Sequence, residues 1–162
     1  MRTLRPAALE ALSVLAVFGA DRATKVWALR ALPSDSSLHV LPLLHFTYVE
    51  NTGAAWGMLR GGNTLLIAVS LVLLAALLQM RRRWAVEQVG VRYGAALVVG
   101  GALGNLYDRL TLRFVVDFLE FTGFPFPVFN VADSAITVGA CLLAWGLKDE
   151  KDESAPANPS PK

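Results

Sequence analysis

The sequence is poor in charge and nearly empty of cysteine. Charged residues make up 17% of its 162 positions, against roughly 25% in an ordinary soluble domain. That shortage weighs against disorder and against a typical soluble enzyme. One cysteine, Cys141, forbids an intrachain disulfide and so excludes a small secreted scaffold held by bridges; it reads as a small apolar filler. The formal net charge of +2 is too small for a nucleic-acid binder, and no nucleic-acid partner is expected. No HExxH segment occurs, and His39 and His45 stand six apart in an extended-looking stretch, which is poor metal-ligand spacing. Neither a metal nor another cofactor is expected. No GxSxG elbow and no glycine-rich phosphate loop is present; a Ser134–Lys25 nucleophile pair has no supporting pattern.

Apolar residues are what the chain has in excess, 54% with a mean hydropathy of +0.47. They fall into four blocks, about 6–29, 63–80, 93–110 and 130–147, each near the ~20 residues that a helix needs to cross a bilayer. A lone strand cannot satisfy its backbone in hydrocarbon, so the blocks are read as helices. The expected fold is an all-α membrane protein with four transmembrane helices and a small extracytoplasmic β-containing segment. Residues 1–147 form one integral membrane domain on this reading, and 148–162 a charged, then Pro/Ser/Ala-rich, disordered tail. The first block has Arg2 and Arg5 ahead of it and Gly19-Ala20 near its end, as a cleaved signal would. Glu10 interrupts its start and three more blocks follow, so it reads as a retained span.

Lys and Arg set the orientation. Arg2, Arg5, Arg81, Arg82, Arg83, Arg92, Lys148, Lys151 and Lys162 share one side, against Arg30, Arg60, Arg109 and Arg113 on the other. Both termini are therefore expected in the cytoplasm. Trp84 and Trp145 fall at the inner interface and Trp27 at the outer one. Segments 31–62 and 111–129 face outward. HFTYVEN alternates passably and predicts short strands. The Pro and Gly of 111–129 predict a turn whose aromatics touch the interface.

Ionisable groups in a span cost ~2.5–3.5 kcal/mol each on insertion scales and mark candidate functional positions. Here Asp21, Arg22 and Lys25 lie near the outer end of the first block, Asn105, Asp108 and Arg109 at the end of the third, and Asn130 and Asp133 at the start of the fourth, with Asp117 between. Antiparallel packing brings them to one depth and predicts a single polar pocket. Asp21 and Lys25, at i and i+4, read chiefly as a structural ion pair. The glycines of GGALGN read as close helix packing. Arg109 serves either the pocket or interfacial snorkelling. Two carboxylates in a poorly solvated place cannot both ionise cheaply, so Asp117 and Asp133 would share a proton and act as general base and acid on one water. On spacing alone the alternative stays open: Asp133 as a helix N-cap and Asp117 as a solvated loop acid.

The motifs DRATK (Asp21 to Lys25), VENTGAAWG (Val49 to Gly57), GGALGNLYDR (Gly100 to Arg109), VVDF (Val115 to Phe118) and FNVADS (Phe129 to Ser134) occur in this order. Together they resemble the lipoprotein signal peptidase (signal peptidase II) family over roughly residues 7–147. Trp56 stands where that family usually has Phe. The resemblance implies an intramembrane aspartic endopeptidase of the bacterial cytoplasmic (inner) membrane. It implies a diacylglyceryl-prolipoprotein substrate cut on the N-terminal side of the lipidated Cys, contact with membrane lipids, and no cofactor. It matches the catalytic pair to Asp117 and Asp133, and supporting or substrate-binding positions to Asn51, Asn105, Arg109, Asn130, Asp21 and Lys25; Asp108 matches no catalytic position. It also suggests that the TYVENTG segment clamps an extended substrate, and nothing demands more than a monomer. A small transporter or proton-conducting protein is the alternative. Its polar path should cross the membrane, whereas block 63–80 carries little polarity before Gln79.

Overall fold

The computed structural model describes residues 6–32, 37–54, 58–59, 61–84, 88–123 and 125–154. The element order is α1 (Pro6–Ala31), β1 (Ser37–Leu41), β2 (Leu44–Asn51), α2 (Asn63–Arg81), α3 (Val89–Thr111), β3 (Val115–Phe121) and α4 (Val131–Ser154). Trp56 lies outside the described residues, as do the Arg2 and Arg5 of the expected inner charge and the tail beyond 154.

Three helices, Asn63–Arg81, Val89–Thr111 and Val131–Lys148, are long and apolar enough to cross a membrane. The expected fourth, α1, has 26 residues, but every stretch of it long enough to span contains several of Glu10, Asp21, Arg22, Lys25 and Arg30. Its polarity is turned inward. Glu10, Asp21, Lys25 and Ala28 are buried, while Leu9, Leu12 and Leu15 are exposed. An apolar exterior around a polar interior is what hydrocarbon favours, since polar groups there must find partners within the protein. α2 is the most one-sided, burying only Leu74 and Leu77.

α3 is the central wall, with α1 and α4 packed closely against it through small residues. A Cβ added at Gly101 would lie 2.4 Å from the Ala132 carbonyl oxygen, and one at Gly104 would lie 2.3 Å from Asp21 Oδ2. These glycines are needed for close approach, as the GGALGN motif predicts.

α4 corrects one expectation. The disordered tail was expected from residue 148, yet the helix continues to Ser154. The physical reason is local: KDEKDES holds neither Gly nor Pro, and the first breaker is Pro156.

The three strands form one antiparallel sheet in the order β1-β2-β3. β1 and β2 realise the strands expected around HFTYVEN. β3 was not expected, since 111–129 was read as a turn. Val115, Val116, Asp117 and Phe118 are all buried, so the segment lacks the alternation that marks a half-exposed strand. The turn proper is confined to the Gly/Pro stretch beyond Phe121. Arg113, with φ +73°, takes the left-handed position just past α3 and turns the chain into β3. The sheet packs on α1 through Trp27, whose ring centroid lies 5.1 Å from Phe46 and 6.0 Å from Phe118. Ala28, Leu32, Val116 and Phe118 form the buried cluster beneath it.

Candidate active site

The C-terminal ends of α1 and α3, the N-terminal end of α4 and the start of β3 converge on one hydrogen-bonded network. Asp117 lies on β3 opposite Val49 of β2 and is 1% exposed. The solvated-loop reading of Asp117 is therefore wrong, because β3 is a buried strand. Its Oδ2 accepts from Asn51 Nδ2 at 2.8 Å and its Oδ1 from Asn130 Nδ2 at 2.6 Å.

Asp133 sits in the first turn of α4. The Asp133 backbone N–H donates to Asn130 Oδ1 at 2.9 Å, and the Asn130 N–H donates to Asp133 Oδ2 at 3.2 Å. This reciprocal pair is a capping box in which Asn130 is the N-cap. The helix-start reading of Asp133 is half right, then. One carboxylate oxygen serves the box, and the other, Oδ1, accepts from Asn105 Nδ2 at 2.8 Å. Asn130 consequently ties Asp117 to Asp133. Both carboxylates line one cavity of about 380 Å³, together with Asn51, Ala54, Arg109, Phe129 and Thr137. Burial, and then the neighbouring Asp133 charge, push the Asp117 carboxyl up to about 7, against the lowering effect of the Asn51 and Asn130 amides.

Behind the carboxylates lies a fully buried ammonium. Lys25 Nζ is 2.9 Å from Asp21 Oδ2, 3.1 Å from Asp108 Oδ2 and 2.8 Å from Asn105 Oδ1. The ammonium donates a hydrogen bond to the Asn105 amide oxygen and is ion-paired with both carboxylates. Asp21 Oδ1 accepts the Ala132 N–H at 3.0 Å, which pins the start of α4 to α1. Lys25 and Asp21 thus form the expected ion pair, which also orients Asn105.

Arg109 is 7% exposed, and snorkelling is ruled out for it. Its Nη2 donates to the Gly53 carbonyl at 2.6 Å, while the Gly53 N–H donates to Asn51 Oδ1 at 3.0 Å. Arg109 therefore holds the chain just after β2, and that chain holds the Asn51 amide against Asp117. Nη1 of Arg109 is buried with no hydrogen-bond partner among the described residues.

All eight residues named from the sequence lie in this network. Two that the sequence places in the polar pocket but not among the catalytic or supporting residues also belong to it. Asp108 is completely buried, pairs with Arg22 and Lys25, and accepts the Val116 N–H at 3.2 Å, so it fixes the strand that carries Asp117. Arg22 also lies over the Tyr107 ring, 4.4 Å from its centroid. The available signal was the same for both: an ionisable group at the end of an apolar block. His39 and His45, six apart in sequence, face each other across β1 and β2 with ring centroids 3.8 Å apart.

The family model for signal peptidase (SPase) II matches residues 13–148. The chain belongs to the signal peptidase II family. That match takes in all eight site residues. A signal peptidase II relative from Pelotomaculum thermopropionicum, named lipoprotein signal peptidase, is 41% identical over 136 residues, 83% of this chain and 88% of its own. One of the same name from Trichormus variabilis is 43% identical over 143 residues, 83% of this chain and 87% of its own. Two solved structures described as bacterial membrane enzymes share the fold of this chain. The first has a TM-score of 0.86 at 30% identity, covering 93% of this chain and 94% of that one. The second has a TM-score of 0.80 at 33% identity, covering 86% and 92%.

Proposed function

We propose that this signal peptidase II family member removes the signal peptide from diacylglyceryl-modified prolipoproteins, cutting on the N-terminal side of the lipidated Cys by an aspartic mechanism. The observation that carries the reading is a pair of carboxylates, Asp117 and Asp133, joined through Asn130 and lining one cavity. Charge balance supports a shared proton. The network holds four carboxylates (Asp21, Asp108, Asp117, Asp133) against three bases (Arg22, Lys25, Arg109). In a poorly solvated site such a surplus is relieved by retaining one proton. The ionised member of the pair takes a proton from water as the water attacks the scissile carbonyl. The protonated member gives its proton to the carbonyl oxygen; the other member then passes the proton it took from water to the departing amine, and as the C–N bond breaks the gem-diol hydroxyl returns a proton to the first member, leaving the pair again with one proton.

The supporting groups fit positioning roles. Asn51, Asn105 and Asn130 orient the carboxylates. Lys25 and Asp21 brace Asn105 and the start of α4. Arg109, with its free buried Nη1 donor, is placed to hold a substrate backbone carbonyl against the pair. The reading has α1 cross the bilayer with the three apolar helices, giving four spans in the bacterial cytoplasmic membrane. Both termini are then cytoplasmic and the site lies near the outer face. Residues 1–147 act as one domain and as a monomer, without a cofactor. A lipid-anchored substrate can then keep its acyl chains in the bilayer while water reaches the bond.

The test is hydrolysis of a lipid-modified lipobox peptide in detergent by the wild type and by Asp117→Asn and Asp133→Asn. Cleavage before the modified Cys by the wild type, and none by either folded variant, is expected. Near-normal turnover by either variant overturns the dyad.

A further inference from the structure

The sheet has two ends of opposite character. At one end Asn51 and Val115 meet the candidate site. At the other, the β1–β2 turn carries Leu41 (60% exposed) and Leu43 (59% exposed), with Leu38 and Val40 exposed just before them. The Thr122 N–H donates to the Leu43 carbonyl at 3.1 Å, and Thr122 Oγ1 donates to the Pro42 carbonyl at 3.3 Å. These bonds fasten the hairpin turn to the end of β3. There Phe121 and Phe126 lie 6.1 Å apart, and Phe126 and Phe129 5.5 Å apart, by ring centroid. Phe126 and Phe129 also line the cavity of the two carboxylates. An apolar surface therefore runs from the hairpin turn to the cavity rim. His39 and His45 are the only titratable residues in 38–46, and 121–129 contains none.

We propose that this hairpin turn, Leu41 to Leu43 with Phe121 and Phe126 beside it, is embedded in the outer leaflet of the bilayer that the helices cross. Depth supports this occupant. Trp27, about one turn from the end of α1, packs on Phe46 and Phe118, and β3 starts four residues after α3 ends. The sheet is thus tethered at the level where the helices end. A contiguous exposed apolar patch at that level fits a membrane contact. Glu120, which lies opposite His45 and next to Phe121, is bonded by Thr47 and Ser37, so its carboxylate is satisfied within the sheet. The inference rests on the outer-face placement of the site given above. It adds that the rim at Phe126 sits at acyl-chain level, where a lipid-anchored substrate arrives without leaving the bilayer.

The experiment is spin-label depth measurement in phosphatidylglycerol-containing vesicles without substrate. Leu43→Cys and Leu41→Cys are each labelled in a Cys141→Ser background, with Glu50→Cys as the exposed reference. Oxygen accessibility above that of a water-soluble nickel chelate is expected at 41 and 43, and the reverse at 50. Nickel accessibility at 41 and 43 equal to that at 50 overturns the proposal. Dipolar broadening between labels at 43, with nickel excluded, shows a second copy covering the turn and also overturns it. Peptide cleavage by the wild type is measured separately. If cleavage fails while the labels lie deep, the peptidase reading falls and the membrane contact stands; if the labels are wet while cleavage proceeds, the reverse holds.

Discussion

The two ends of the helical bundle each bury ionisable groups, and they solve the problem differently. At the end away from the candidate site, Glu10 of α1 meets Arg81 of α2 at 2.5 Å and pairs with Arg92 of α3. One acid against two bases leaves a positive surplus, and the Arg81 side chain is 34% exposed, so water can hold it. At the candidate-site end four carboxylates face three bases, and Asp117, Asp21, Lys25 and Asp108 are at most 1% exposed. Burial leaves that surplus poorly solvated, which favours a retained proton. A buried cluster whose extra charge is solvated fastens helices together. One whose extra charge lies unsolvated beside a cavity is set up for proton transfer.

Several substitutions would break or sharpen this contrast. The largest effect is expected at the two cavity-lining carboxylates. Asp117→Asn or Asp133→Asn should lower peptide turnover by about 10²–10⁴-fold or more, with an unchanged elution profile in detergent. Next comes Lys25→Met, which strands Asp21 and Asp108 without their shared ammonium. Removing one partner of a buried pair costs about 3–5 kcal/mol. Thermal unfolding in micelles should show this, with part of the loss recovered in the double variant carrying Asp21→Asn. Gly104→Ala puts a methyl 2.3 Å from Asp21 Oδ2, and overpacking of this kind costs about 1–3 kcal/mol, read from the same melts. At the opposite end Glu10→Gln should cost about 1 kcal/mol and leave the turnover of folded protein unchanged. A fall in kcat there would erase the distinction between the ends.

A further effect is one of pH. Asp117 ordinarily titrates near 3.8 and is pushed up to about 7 in the fold, by burial first. Between about pH 4 and 7 the native state keeps a proton that the unfolded chain has released. This group's contribution to stability therefore declines as pH rises through that window and is level above it. The melting temperature of the wild type relative to Asp117→Asn should fall from pH 4 to 7 and then flatten. Turnover should decline as pH rises through about 7, when the pair loses its proton.

How much of this was legible beforehand depended on the kind of signal. The apolar blocks that became α2, α3 and α4 are long enough to read directly. The cluster of polar residues at the block ends pointed to one pocket, and Asp117, Asp133, Asn105 and Asn130 are in it. β3 was missed because its buried residues do not alternate. Asp108 was placed in the pocket but given no role, and Glu10 was read only as an interruption of its block, because their partners, Arg22 and Lys25 for one and Arg81 and Arg92 for the other, come from other helices. Arg92 had been counted among the inner-side charges, though its side chain is 5% exposed.

Composition and order along the chain were enough to specify a membrane-embedded helical protein with its polar groups gathered at one level, because hydrocarbon penalises each stray charge independently of its neighbours. Which carboxylates meet, which amide joins them and which base neutralises which acid was settled only when α1, β3 and α4 closed on α3. Those pairings depend on distances of about 3 Å between residues up to 111 positions apart, and no local pattern encodes them.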